Sequence, residues 1–214
     1  MKVALSGGGE GWLPRAEVGL KVSRGGRVCV ELGLKEALTL GAIEGGFEGT
    51  GSSSGDSVTL KAKGTLKFSV CPGVQPGMVL ANANAAAQNM VLARVSGVPD
   101  GVFLKPVTEL RFEPGVEAEY AFEAYCLNFE KDNPSGSDRF LVEGTAPEAV
   151  LKILSAPGSS IEGRQLAIWA VTDNISTKDA RDKFQSTDAD LAAARAILQS
   201  AGLTADRYRL FSGR

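Results

Sequence analysis

A cysteine and a glutamine carry the sharpest chemistry in this chain. Cys126 lies in Ala124-Tyr125-Cys126-Leu127-Asn128-Phe129, and Gln165 lies in Arg164-Gln165-Leu166-Ala167-Ile168-Trp169. A thiol and a carboxamide held together away from water can expel ammonia and join as an internal thioester, an acyl group stored for attack by an amine. The plainer expectation is that Cys126 is a small core hydrophobe and that Gln165 bonds a neighbouring backbone or side-chain group. A buried amide left unbonded costs about 1–3 kcal/mol, so some partner is required either way. Residue types alone favour the plainer expectation, because no general rule sends a lone cysteine and a lone glutamine toward each other.

What the chain lacks narrows the chemistry further. It has 214 residues and no histidine. Cys-His and Ser-His-Asp nucleophilic machinery and His-ligated metals are therefore excluded. Three cysteines cannot supply the four thiolates of an all-cysteine zinc site. No metal and no cofactor is expected. An EF-hand-type calcium loop fails over Glu130-Lys131-Asp132-Asn133-Pro134-Ser135-Gly136-Ser137-Asp138, where Pro134 takes the place of a ligand. Carboxylate catalysis survives, but no pair of acids can be nominated.

Lysines and arginines number 23 against 25 aspartates and glutamates, a net charge of −2, and they are scattered rather than massed. That balance shows no nucleic-acid footprint. No apolar run approaches the ~20 residues of a membrane span, so none is expected. Met1-Lys2-Val3-Ala4-Leu5 is too short an apolar stretch for a signal peptide; the chain is read as cytosolic or as lacking its leader. Cysteine usage bears on the same choice. Cys29 and Cys71 both fall in strand-like stretches of the first half, where one disulfide would suit an oxidising compartment and leave Cys126 as the odd thiol. Three free buried thiols in a cytosolic protein is the alternative.

The elements that must position Cys126 and Gln165 divide by period. The first half alternates with period two: residues 16–22, a turn at Arg24-Gly25-Gly26-Arg27, the Cys29 stretch, and a hairpin over residues 57–68 with its lysines toward solvent. Gly45-Gly46 and residues 51–56 read as turns. Residues 82–92 read as a short helix or a strand interrupted by a loop, and residues 107–112 resume the β pattern. After Pro114-Gly115 comes the longest alternation, with Val116, Ala118, Tyr120, Phe122, Ala124 and Cys126 on one face, opposite Glu117, Glu119 and Glu123. The period then becomes helical. Thr145-Ala146-Pro147-Glu148 and Ser159-Ser160-Ile161-Glu162 read as capping boxes, the second opening the Gln165 helix. That helix is apolar on every side from Leu166 to Val171 and so is buried all round. A last helix starts near Thr187, with Asp190 three residues on, and stops at Gly202. The fold class is α+β: a β-rich region over residues 1–112, sandwich or barrel, then a strand-plus-helices region over residues 113–214, the two reading equally as one continuous module.

The two motifs together resemble the thioester domains of Gram-positive bacterial surface adhesins. Tyr125-Cys126-Leu127-Asn128-Phe129 is similar to that family's aromatic-Cys strand, and Gln165-Leu166-Ala167-Ile168-Trp169 to its Gln-x-Ala-aliphatic-aromatic helix, over roughly residues 120–174. The resemblance implies a Cys126–Gln165 thioester, attacked by an amine on a partner protein, with Ala167 and Trp169 packing around it. The chain departs from the pattern in placing the two residues closer together and in having Arg164 where threonine commonly precedes the glutamine. A stored thioester must be kept dry until its target arrives. Residues 130–138 would then border the entrance, and Thr172, Asp173 and Asn174 would hold that loop; the alternative is that either segment is an ordinary solvated turn.

These readings give an extracellular or cell-surface module, not an enzyme, that attaches covalently to amine-bearing partners or cross-links itself. The runner-up is a non-covalent surface or filament module with Cys126 and Gln165 in its core. A carboxylate enzyme is third.

Overall fold

A computed structural model describes residues 2–4, 10–12, 19–22 and 28–212. The strand order of the first half is β1 (Lys2–Ala4), β2 (Glu10–Trp12), β3 (Gly19–Val22) and β4 (Val28–Glu31), followed by the short helix α1 (Leu34–Thr39). Then come β5 (Ile43–Gly49), β6 (Ser54–Gly64), β7 (Ser69–Val70), β8 (Met78–Asn82), β9 (Met90–Asp100), β10 (Phe103–Lys105), β11 (Glu117–Cys126) and β12 (Arg139–Thr145). Helices follow: α2 (Glu148–Ser155), α3 (Ile161–Thr172), α4 (Thr177–Phe184), α5 (Asp188–Ser200), a 3-10 turn at Ala205–Arg207, and α6 (Arg209–Ser212). The α+β class, β-rich first and helical later, is the one the sequence predicts. The turn read at Arg24–Arg27 and residues 16–18 of the first alternation lie outside the described residues.

Seven strands run in the order β10-β9-β11-β6-β5-β12-β8, and β8 also pairs with β9, so six of them close into a barrel. Closure removes the edges that an open antiparallel sheet would expose. Beside it, β3-β4-β7 form a three-stranded sheet, antiparallel between β3 and β4 and parallel between β4 and β7. Strands β1 and β2 form a two-stranded ribbon.

The chain divides into two compact units that interleave along the sequence, not in series about residue 112. One comprises Met1–Glu48, Val58–Gln75 and Arg94–Phe122; the other comprises Gly49–Ser57, Pro76–Ala93 and Glu123–Arg214. In the first unit Val58, Leu60 and Ala62 of β6 point inward, as do Ile43 and Phe47 of β5, with Phe47 edge-on to Phe122 at 5.8 Å. The alternate lysines stay outside, Lys61 beside Glu119 and Lys63 beside Glu44. Cys29 and Cys71 are joined by a disulfide, their Cα atoms 5.8 Å apart.

Several local expectations are corrected here. Residues 57–68 are not a hairpin: β6 is a single strand to Gly64, whose N–H bonds the Glu113 carbonyl while its own carbonyl accepts from Gly115. The strand thus hands over to residues 113–115 instead of folding back. Residues 107–112 form no strand; Phe112 makes one isolated bridge with Val70, and its ring packs on Tyr120 at 5.3 Å. Residues 82–92 resolve as the end of β8, a loop and the start of β9. Val116 precedes β11 and is exposed, whereas Tyr120 through Cys126 are buried on both faces, Glu123 included. The period-two pattern of β11 thus places Tyr120, Phe122, Ala124 and Cys126 inward correctly, but Val116 is exposed and the residues between them are covered as well.

The second unit stacks α2, α3 and α5. Helix α3 is buried at every residue from Gly163 to Ala170. Gly163 permits the close approach to α5, since a Cβ there would lie 2.7 Å from the Ala193 Cβ and 3.1 Å from the Ala194 nitrogen. Both capping boxes read at residues 145–148 and 159–162 are absent. Thr145 ends β12 and α2 begins after Pro147 without a side-chain cap, proline being well placed where no N–H is needed. The cap of α3 is Ser160, one residue later than read, and it accepts from the Gly163 N–H at 2.9 Å. The Thr187–Asp190 box does open α5, and a second box, Ser176 with Asp179, opens α4.

Candidate functional site

Cys126 is the last residue of β11, and Gln165 sits in the second turn of α3. Their side chains are both fully buried within the second unit. The Gln165 carboxamide docks on the peptide groups of Cys126 in both directions. The Cys126 N–H donates to Oε1 at 2.8 Å, and Nε2 donates to the Cys126 carbonyl at 2.8 Å. This pair of bonds fixes which end of the amide is oxygen, because a flipped amide would set donor against donor and acceptor against acceptor. The Cys126 N–H is shared with the Ser53 carbonyl at 3.2 Å. The sulfur itself faces Met90, 3.4 Å from its Sδ.

Burial pushes the Cys126 thiol up to about 12, and the charge of Lys183 acts weakly in the opposite sense. At neutral pH the sulfur is therefore a thiol, not the thiolate that would make it a ready nucleophile. The neighbouring Tyr125 donates to Glu123 Oε1 at 2.5 Å, and burial first, then that bond, raise its hydroxyl above the ordinary tyrosine range.

The residues around the pair fall into two sets. Ala167 and Trp169 are buried packing positions: Trp169 stands edge-on to Phe129 and to Phe184, each at 5.0 Å. Its Nε1, like Gln88 Oε1, is buried without a hydrogen-bond partner. Asp173 and Asn174, by contrast, do not hold the loop at residues 130–138. Asp173 accepts from the Thr172 hydroxyl at 2.6 Å, and Asn174 accepts from the Arg209 N–H at 3.0 Å. The loop is tied down elsewhere. Lys183 donates to the carbonyls of Phe129 and Lys131, the Gln88 N–H donates to the Asp132 carbonyl at 2.9 Å, and Gln88 Nε2 reaches Lys131 and Asn133.

Arg164, the residue that departs from the thioester-domain pattern, is buried and has a structural task. Its guanidinium donates to the carbonyls of Ile153, Leu154, Ala156 and Gly158, capping the exposed carbonyl end of α2. Nothing local in the sequence signals this contact, Ser53 and Met90 against Cys126, or Gln88 and Lys183 against the loop that follows it; a lysine on an exposed helix face carries no sign that its amine reaches a loop 52 residues earlier. Among the described residues no group of three or more histidine, cysteine or acidic side chains is placed to hold a metal, and no helix is long and apolar enough to cross a membrane.

No protein-family model, curated protein or solved structure matches this chain.

Proposed function

We propose that this chain is a β-rich extracellular or cell-surface module in which Cys126 and Gln165 close an internal thioester that captures amine-bearing partners. The observation that carries the reading is the docking of the Gln165 carboxamide on Cys126 by two 2.8 Å bonds in a fully buried setting. Two residues 39 apart in sequence, singled out for their chemistry, stand in direct contact.

The step balances without a cofactor. The Cys126 Sγ adds to the Gln165 side-chain carbonyl carbon, the C–N bond breaks, and the thiol proton leaves with the nitrogen as ammonia. The Cys126 N–H already lies on Oε1, where negative charge develops in the tetrahedral intermediate. An incoming primary amine then attacks the same carbon, the C–S bond breaks, and the thiol regains a proton. Each molecule reacts once, so the module is a reagent and not an enzyme. The Cys29–Cys71 disulfide supports the extracellular placement, since such bonds persist in oxidising compartments.

A second reading has its own observation. Both ends of the Gln165 amide are already satisfied by the Cys126 backbone, which is what a purely structural cross-brace requires. Intact-mass measurement separates the two. The thioester reading expects freshly purified protein lighter than its sequence by one ammonia, with methylamine adding at Gln165 and releasing an alkylatable Cys126. A full-sequence mass with no methylamine uptake establishes the cross-brace.

A further inference from the structure

Cys126 and Gln165 are fully buried, so any reagent that reaches them must displace part of their cover. The segment that directly follows Cys126 is tied down by a side chain from the surface. Lys183 is an exposed residue of α4, and its ammonium is the charge that acts on the Cys126 thiol. The chain runs from Cys126 directly into the turn on which this amine rests. The amine folds onto the turn that follows the Cys126 strand. It donates to the carbonyls of Phe129 and, at 3.1 Å, Lys131, and lies 4.8 Å from the centre of the Phe129 ring. Phe129 in turn seals against Trp169, one helical turn beyond Gln165. At the root of this turn, Asn128 adopts a left-handed backbone with φ of 65°, a conformation that costs energy for any residue but glycine and is tolerated best by asparagine and aspartate. Its side chain accepts from the Asn89 N–H at 3.3 Å, and its carbonyl accepts from Lys131 at 3.0 Å.

We infer that the turn Asn128–Asp132 is the gate over the Cys126–Gln165 pair, with Asn128 as its hinge and the Lys183 amine as its latch. Release of the latch from the Phe129 and Lys131 carbonyls frees the turn to swing about Asn128 and opens the path to the buried pair. Gating of this kind needs only local opening, well short of global unfolding. The inference regulates the site proposed above, but the gate exists whether or not the thioester forms.

The test uses the full-length, disulfide-intact chain and reads modification of the pair by intact mass. If the protein lacks one ammonia, the reagent is methylamine; if it has its full mass, the reagent is iodoacetamide and the target is the Cys126 thiol. The starting mass thus judges the thioester, and the rate judges the gate. Lys183→Met keeps the aliphatic stem over Phe129 and removes the latch; it should react about three- to ten-fold faster than the parent, the range expected for one partly exposed charged hydrogen bond. Lys183→Arg should stay slow, and Lys178→Met, on the same helix, should match the parent. The direction is diagnostic for iodoacetamide, because losing the nearby positive charge alone would disfavour the thiolate and slow the reaction. Asn128→Ala, which raises the cost of the left-handed hinge and removes its bond from the Asn89 N–H without touching Lys183, should also accelerate and serves if Lys183→Met does not fold. Parent-like or slower rates in the folded variants overturn the gate, as does equal acceleration by Lys178→Met.

Discussion

Both terminal nitrogens of Arg164 donate to one acceptor, the carbonyl oxygen of Ala156, at 3.2 Å each. The same guanidinium also takes the carbonyls of Ile153, Leu154 and Gly158, so the C-terminal end of α2 is satisfied by a side chain from the first turn of α3. Gln165 follows directly in the same helix. Arg164→Met keeps much of the stem volume but strands those carbonyls. It should lower stability by about 2–4 kcal/mol, a loss of several buried charge-assisted bonds partly recovered by water, read as a shift in urea midpoint. Arg164→Lys should recover only part, since one ammonium cannot span the same fork.

Replacing Gln165 by glutamate tests the amide's polarity. One carboxylate oxygen can still accept the Cys126 N–H, but the other then opposes the Cys126 carbonyl where Nε2 had donated at 2.8 Å. The introduced acid should therefore stay protonated when folded, with its folded pKa raised. Protonated in both states at low pH, it carries no penalty there; the penalty grows as pH rises above the ordinary glutamate value, near 4.3. Thermal melts of Gln165→Glu should thus fall relative to the parent between about pH 4 and pH 7. If the parent carries the proposed thioester, its ammonia loss should vanish in the same variant.

Alkaline titration probes Cys126 itself. Its folded value of about 12 lies above the ordinary thiol value of 9.0, so the unfolded chain loses this proton first. Stability from this group is complete below about pH 9 and drains away as pH climbs toward 12. Urea melts at pH 8 and about pH 10.5 should show the decline, and Cys126→Ala should remove a part of it, the buried tyrosines Tyr120 and Tyr125 accounting for decline in the same direction. Where the thioester has formed, that part is already missing from the parent.

The disulfide joins residues separated by 42 positions. Closing a loop of that size constrains the unfolded chain by about 3–4 kcal/mol on chain-entropy grounds. The paired Cys29→Ser and Cys71→Ser variant should lose stability of that order, and the parent should lose the same amount in reductant. Matching losses are the check, read from denaturant midpoints.

Legibility followed the range of the forces involved. The β-then-α order, the inward face of β6 and the cap of α5 are local patterns of apolar spacing and side-chain oxygens, and they are plain in the sequence. The box at Ser176 and Asp179 is an equally local signal, a serine followed three residues later by an acid. Thr145 misled because a capping pattern looks the same at the end of a strand, and only the pairing of β12 with β8 decides between them. The cover over Glu123 and Tyr125 and the reach of Lys183 across 52 residues depend on long-range packing that no window of sequence contains. Residue chemistry, helped by a family resemblance, chose Cys126 and Gln165; it could not say that they would meet through the peptide backbone.

That mode of meeting has a consequence for how the site could change over time. Gln165 grips the peptide groups at position 126 and leaves the side chain there free of the bargain. Position 126 is in effect a socket whose hold on the helix runs through the backbone and not through the side chain it carries. A lineage could thus lose the sulfur and keep the architecture, or regain it in one substitution. Reactivity would then be an interchangeable fitting on a permanent frame.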